Sequence, residues 1–166
     1  MTAWATRPGE ERALLNPAFF SALLWHAASG YASIAEGRGL SIDLAFLVGP
    51  FVLHRDTRDA LPRAVTTSLA VWLDDNPLIR IRAAGRARSL VGFTREALLF
   101  GGLHGFLTLS SGAVAAVSDR SRAMNAVLRD TSDEVRLCMK RAEFLGRWFA
   151  SAGSPSTVMA VVGVRA

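Results

Sequence analysis

The chain has 166 residues, is 51% hydrophobic with nine Phe and four Trp, and carries 19 Lys+Arg against 14 Asp+Glu, a net charge of +5. That length and apolar share exclude a disordered chain and fit one domain or two very small ones. The moderate basic excess suits nucleic acid or an acidic partner without demanding either; all its cations but Lys140 are Arg, which a GC-rich coding bias explains.

Residues 1–15 read as a flexible lead-in, mixed polar with Glu10 and Glu11 and without the apolar run of a secretory signal. Trp4 and Leu14-Leu15 are able to rest on a neighbour. Asn16-Pro17 then predicts a helix start, Asn capping free N–H groups and Pro losing nothing at the first helical position. Phe20, Leu24, Ala27 or Ala28, and Tyr31 recur at helical spacing, widened by Phe19 and Leu23. That stripe is too wide for a lone surface helix, so it packs on the core or on another chain. Phe19, Phe20, Leu24 and Tyr31, with Trp148 and Phe149 later, are the candidate partner-docking residues. The helix should end near Gly37-Arg38-Gly39.

Residues 41–53 predict a second helix, with Leu44, Leu47, Val48, Phe51 and Val52 inward and Pro50 kinking or ending it. Its apolar core is too short to span a bilayer, which needs about 20 residues. Residues 54–59 form a polar connector, and residues 67–73 a third helix anchored by Leu69, Trp72 and Leu73. A negative pair opposes the dipole at a helix C-terminus, so Asp74-Asp75 belongs to the next connector, where Asp75 or Asn76 caps the following helix.

Residues 76–118 predict the back half of a winged helix. Asn76-Pro77 opens one helix and Phe93-Thr94-Arg95-Glu96 a second, running through Leu98, Leu99 and Leu103. Phe106-Leu107-Thr108-Leu109 alternates, Ser111-Gly112 turns, and residues 113–117 return as a short wing. Beyond lies a weaker helix around Met124, then a capping box in which Thr131 caps and Glu134 reaches back. The long helix behind it presents Val135, Cys138 or Met139, Ala142, Leu145, Trp148 and Phe149, stops at Gly153, and is followed by a last helix over 157–162. The expected fold is therefore mainly α with a small β-hairpin wing: a winged-helix-like domain over 16–166 with additional N- and C-terminal helices. A subdivision into 16–75, 76–118 and 119–166 stays open.

Catalytic signals are incomplete. His54-Arg55-Asp56 begins a kinase catalytic loop, but Leu61 stands where that loop needs its metal-binding Asn, and no Gly-rich loop or Asp-Phe-Gly occurs. His26 and His104 read as structural histidines, no Gly-x-Ser-x-Gly elbow is present, and no two His share metal-ligand spacing. One cysteine, Cys138, excludes an intramolecular disulfide and reads as a buried small hydrophobe. Gly101-Gly102 with Gly105 reads as close helix packing plus a stop, not as a dinucleotide loop. No catalytic residue, cofactor or metal is therefore assigned.

For nucleic acid, residues 94–104 make a poor base reader: only Thr94, Arg95, Glu96 and His104 are polar, and the wing tip has no cation. Arg80, Arg82, Arg86 and Arg88 are the candidate contacts to phosphate or an acidic partner, Arg82 and Arg86 sharing one face at i, i+4; a solvated helix face is the plainer reading. An apolar second helix with an uncharged wing suits docking on another protein better.

Asn16-Pro17-Ala18-Phe19, residues 47–54 (Leu-Val-Gly-Pro-Phe-Val-Leu-His) and residues 57–62 (Thr-Arg-Asp-Ala-Leu-Pro) resemble the middle component of prokaryotic ABC-three-component systems. So do Phe93-Thr94-Arg95-Glu96-Ala97-Leu98-Leu99-Phe100 ahead of His104-Gly105, and Ser156-Thr157-Val158 before Val162-Gly163-Val164. The likeness spans nearly the whole chain from Asn16. It implies a small, non-enzymatic accessory subunit, and the absence of a secretory signal and of a bilayer-length apolar run reads as cytoplasmic. Its partners would be an ABC or SMC-like ATPase and an effector, in defence against phage or plasmids, with no membrane partner. DNA, contacted non-specifically or through the complex, is a further candidate partner, and a winged-helix DNA-binding protein or transcription regulator is the alternative function.

Overall fold

The computed structural model of the chain describes residues 16–129 and 131–164; the expected lead-in, with Trp4, Leu14 and Leu15, lies outside them. Helix α1 (Pro17–Ile34) begins where Asn16 caps it, its side-chain oxygen accepting from the Ala18 N–H at 2.9 Å, with Pro17 in the first turn. The positive φ angles of Glu36 and Gly37 turn the chain away after its end. Strand β1 (Leu40–Ser41) leads into α2 (Ile42–Val52), whose Leu44, Leu47, Val48, Phe51 and Val52 are buried as expected; Pro50 sits inside its last turn. The expected polar connector instead contains a six-residue helix, α3 (Arg55–Ala60).

Helix α4 (Leu69–Asp75) buries Leu69, Trp72 and Leu73. Asp74 and Asp75 form its last turn rather than a connector; the unfavourable charge at Asp74 is met by Arg80, 2.9 Å away. Asn76 does not cap the next helix with its side chain, which donates to the Trp72 carbonyl at 2.8 Å. The two helices expected after it are one, α5 (Pro77–Leu103), 27 residues long. The start signal at Thr94 is absorbed: its hydroxyl donates back to the Leu90 carbonyl at 3.0 Å instead of capping a new helix. At 1.5 Å per residue α5 is about 40 Å long.

The hairpin forms as the alternation predicts. β2 (Leu107–Ser110) and β3 (Ala113–Ala116) pair antiparallel from Ser110 opposite Ala113 to Leu107 opposite Ala116. Ser111 and Gly112 both take positive φ, the requirement of a two-residue type I′ turn. β1, too short to show periodicity, adds on the far side of β3 with Leu40 opposite Val114, so the sheet order is β1-β3-β2. A 3-10 turn (Ser118–Arg120) leads to α6 (Ser121–Arg129), then α7 (Asp133–Ser151) and α8 (Pro155–Val162). α7 is capped by Ser132, not Thr131, and Glu134 turns to Arg58 instead of closing a capping box.

The core is built around α1, which packs most extensively on α7 and also touches α5, α2 and β3. α1 and α7 meet at two glycines. A Cβ on Gly30 would lie 2.1 Å from the Glu143 carbonyl oxygen, and one on Gly146 would lie 1.9 Å from that of Ala27. Gly101 similarly admits Ser21 and Leu107, so the packing role expected there is borne out, and Gly105 turns at positive φ after α5. Phe51, Trp72, Trp148 and Phe149 form an aromatic cluster, with Trp148 Nε1 donating to the Thr67 carbonyl at 2.7 Å.

This arrangement corrects the docking expectation. Phe20, Leu24, Tyr31, Trp148 and Phe149 are buried in the chain's own core. α1 has a wide apolar face because α7, α5, α2 and the hairpin surround it, not because a partner does. Phe19 alone of that set is half-buried. Among the described residues no helix is long and apolar enough to cross a membrane.

Candidate functional site

The four arginines do not converge. Arg80 is held by Asp74. Arg86 is half-buried, its Nη1 donating to the Thr57 hydroxyl at 2.7 Å. Arg82 and Arg88 are exposed. At 100° per residue Arg82 and Arg86 lie on one flank of α5, while Arg80 and Arg88 lie on the other. Arg82 and Arg86 thus share a face as expected, and Arg80 and Arg88 stand apart from it.

On the Arg82–Arg86 flank the structure opens a cleft of about 1130 Å³. Its walls come from the start of α1, the end of α2, α5, α6 and the first half of α7, with Phe19, Leu53, Leu90, Phe100, Met124 and Met139 among the apolar lining. One end is charged. Arg58 is only 2% exposed there; its Nη1 donates to the Val52 carbonyl at 3.0 Å and to Cys138 Sγ at 3.3 Å, and its Nη2 pairs with Glu134. A buried guanidinium needs such compensation. His54 Nδ1 lies 3.5 Å from the Thr57 hydroxyl; desolvation, then Arg86, hold its pKa below the usual imidazole value. Burial raises the Cys138 thiol pKa, against the opposing pull of Arg58, and the side chain is buried as expected. The other end is aromatic: His104 stacks on Phe100 at 3.9 Å, Phe106 lies parallel beyond them, and Arg120 covers the Phe106 ring at 5.9 Å.

The remaining histidine, His26, is buried in α1 edge-on to Trp25, and desolvation pushes its pKa down to about 4. Among the described residues no group of three His, Cys, Asp or Glu could hold a metal ion. Arg55 of the kinase-like tripeptide points to solvent and pairs with Asp59 at 3.6 Å.

A second feature lies on the outer face of α5. Ile81 is 74% exposed, Leu99 62% and Leu103 84%. Between them Gly85 and Gly92 meet no neighbouring atom, and Arg88 and Arg95 are exposed beside them. Sequence reasoning missed both this face and the Arg58–Glu134 pair. The pair joins positions 76 residues apart, and the exposed leucines look inward-facing while α5 is divided in two.

The family model for the ABC-three component (ABC-3C) system Middle Component 3 matches residues 4–166. No curated protein and no solved structure was found to match the chain.

Proposed function

The chain belongs to the Middle Component 3 family of ABC-three component systems, and from that premise we propose that it is a non-enzymatic subunit bridging an ABC (SMC-like) ATPase and an effector protein in cytoplasmic defence against phage or plasmids. The observation that carries the reading is the uncovered apolar face of α5, with Ile81, Leu99 and Leu103 standing in water. Burying a side chain of this kind contributes about 1.5–3 kcal/mol, so a partner that covers all three gains a useful core for an interface. The cleft on the opposite flank gives a bridge its second surface. The test is co-expression with the proteins encoded beside it, followed by affinity capture. Wild type should capture both partners, and Ile81→Asp with Leu99→Asp should release one. A wild-type chain that captures neither, or that turns over nucleotide by itself, contradicts the reading.

A second reading rests on topology. Helix, short strand, helix, long helix and hairpin, with the order β1-β3-β2, support reading the fold as a winged helix carrying α3 and α4 as an insertion. α5 then occupies the place of the recognition helix, and exposed Arg88 and Arg95 become its phosphate contacts. Binding of this kind would be indifferent to sequence and sensitive to salt. Arg88→Ala with Arg95→Ala should reduce the log–log salt slope by roughly 2; an unchanged slope removes the two arginines from any DNA contact.

A further inference from the structure

We propose that the cleft on the Arg82–Arg86 flank of α5 seats an amphipathic helix from a partner subunit, oriented so that an acidic side chain meets Arg86. The proposal rests on the accessory-subunit reading and specifies one of its two contacts.

Shape is the first argument. The α5 residues that line the cleft run from Arg86 to Phe100, about 21 Å of helix axis. That length of wall matches about four turns of a guest helix. Its walls suit such a guest. Leu53, Leu90 and Phe100 offer fixed apolar surface, and Met124 and Met139 adapt to the knobs pressed against them.

Charge sets the polarity. At one end Arg58 is already matched by Glu134. Arg86 is not: its guanidinium donates to a neutral hydroxyl, pairs with no carboxylate among the described residues, and has Arg82 on the same face. His54 adds no anion there, and Asp56 is the acid that acts on Arg86 from nearby. The opposite end is the aromatic stack of Phe100, His104 and Phe106, with Arg120 over the Phe106 ring. A guest helix with a carboxylate at one end and an apolar stripe along its length is complementary to both ends at once.

The experiment fills the trough from its rim. Ser89 and Ala123 are exposed lining residues, so Ser89→Trp and Ala123→Trp should leave the thermal midpoint unchanged. In the co-expressed complex each should weaken capture of one partner by about tenfold or more. Arg86→Glu should do the same and be rescued by a reversed charge in the captured helix. A photo-reactive phenylalanine at Ser89 should cross-link to a helical segment of that partner. Cross-linking to residues 1–15 of the same chain or to a second copy overturns the proposal, as does wild-type capture by both Trp variants. In that last case the complex still forms and the accessory-subunit reading stands. A wild-type chain that captures no partner removes that reading and the seat together.

Discussion

Gly146 shows how a single residue fixes the molecule. Its missing side chain lets the backbone of α7 touch that of α1, and the space is closed by a carbonyl oxygen rather than by a side chain that could move. Gly146→Ala should therefore cost at least about 1–3 kcal/mol, the range for overpacking a filled core, measured as a shift in urea midpoint at constant m-value. His26 gives a second prediction at this scale. It is neutral and buried in the folded chain, with its pKa near 4, whereas the unfolded chain takes up the proton near 6.5. The unfolded state therefore binds more protons between those values, and stability is lost as pH falls from about 6.5 towards 4. By linkage the loss should reach about 2 kcal/mol at pH 5. Urea titrations at pH 7.5 and 5.0 will measure it, and His26→Leu should remove that component of the difference. His26 was legible as structural from its apolar neighbours. Arg58 was not legible, because what makes it notable is a distant glutamate and a buried position, and neither leaves a local trace.

Helix starts and lone strands are where local signals mislead. Thr94 with Arg95-Glu96 has the composition of a helix start, yet the buried stripe Ala83, Ala87, Thr94, Ala97, Leu98 and Gly101 runs straight through it. Packing along a continuous face outweighs a cap worth about 1 kcal/mol. Ser132 displaces Thr131 as the α7 cap for a related reason: Glu134 is drawn away by Arg58, so the reciprocal box has lost one half. Asn16, Ser111-Gly112 and the anchors of α4 were legible because each requirement is met within a few residues. α5 offers a clean test of its continuity. Gly85 and Gly92 lie inside the helix with open space around them, so Gly85→Ala and Gly92→Ala should each stabilise the chain by about 0.5–1 kcal/mol. If the chain broke into two helices near Phe93, Gly92→Ala would instead be neutral or costly. Thermal and urea unfolding of the two variants separates these outcomes.

At the scale of the whole molecule, the sequence revealed an excess of apolar surface but not its direction. Phe20, Leu24 and Trp148 are covered by elements distant in sequence, and only the assembled fold shows that Ile81, Leu99 and Leu103 are the ones left outside. An uncovered face of this kind has a consequence for the isolated subunit. The three side chains lie along one side of a helix about 40 Å long, with glycines between them that present no bulk to a facing surface. Water contact along that strip is unfavourable by roughly 25 cal/mol per Å² of apolar area, and two copies at high concentration relieve it by meeting face to face. The exposed arginines Arg88 and Arg95 beside the strip repel their counterparts in a second copy, so that association should be weak and should strengthen as salt screens the charges. Sedimentation equilibrium should therefore show reversible self-association that increases between low and high ionic strength. Ile81→Asp with Leu99→Asp should give a monomer under both conditions while leaving the circular dichroism unchanged. A wild-type chain that stays monomeric at high concentration in high salt would show that α5 exposes too little sticky surface to hold any partner by this face.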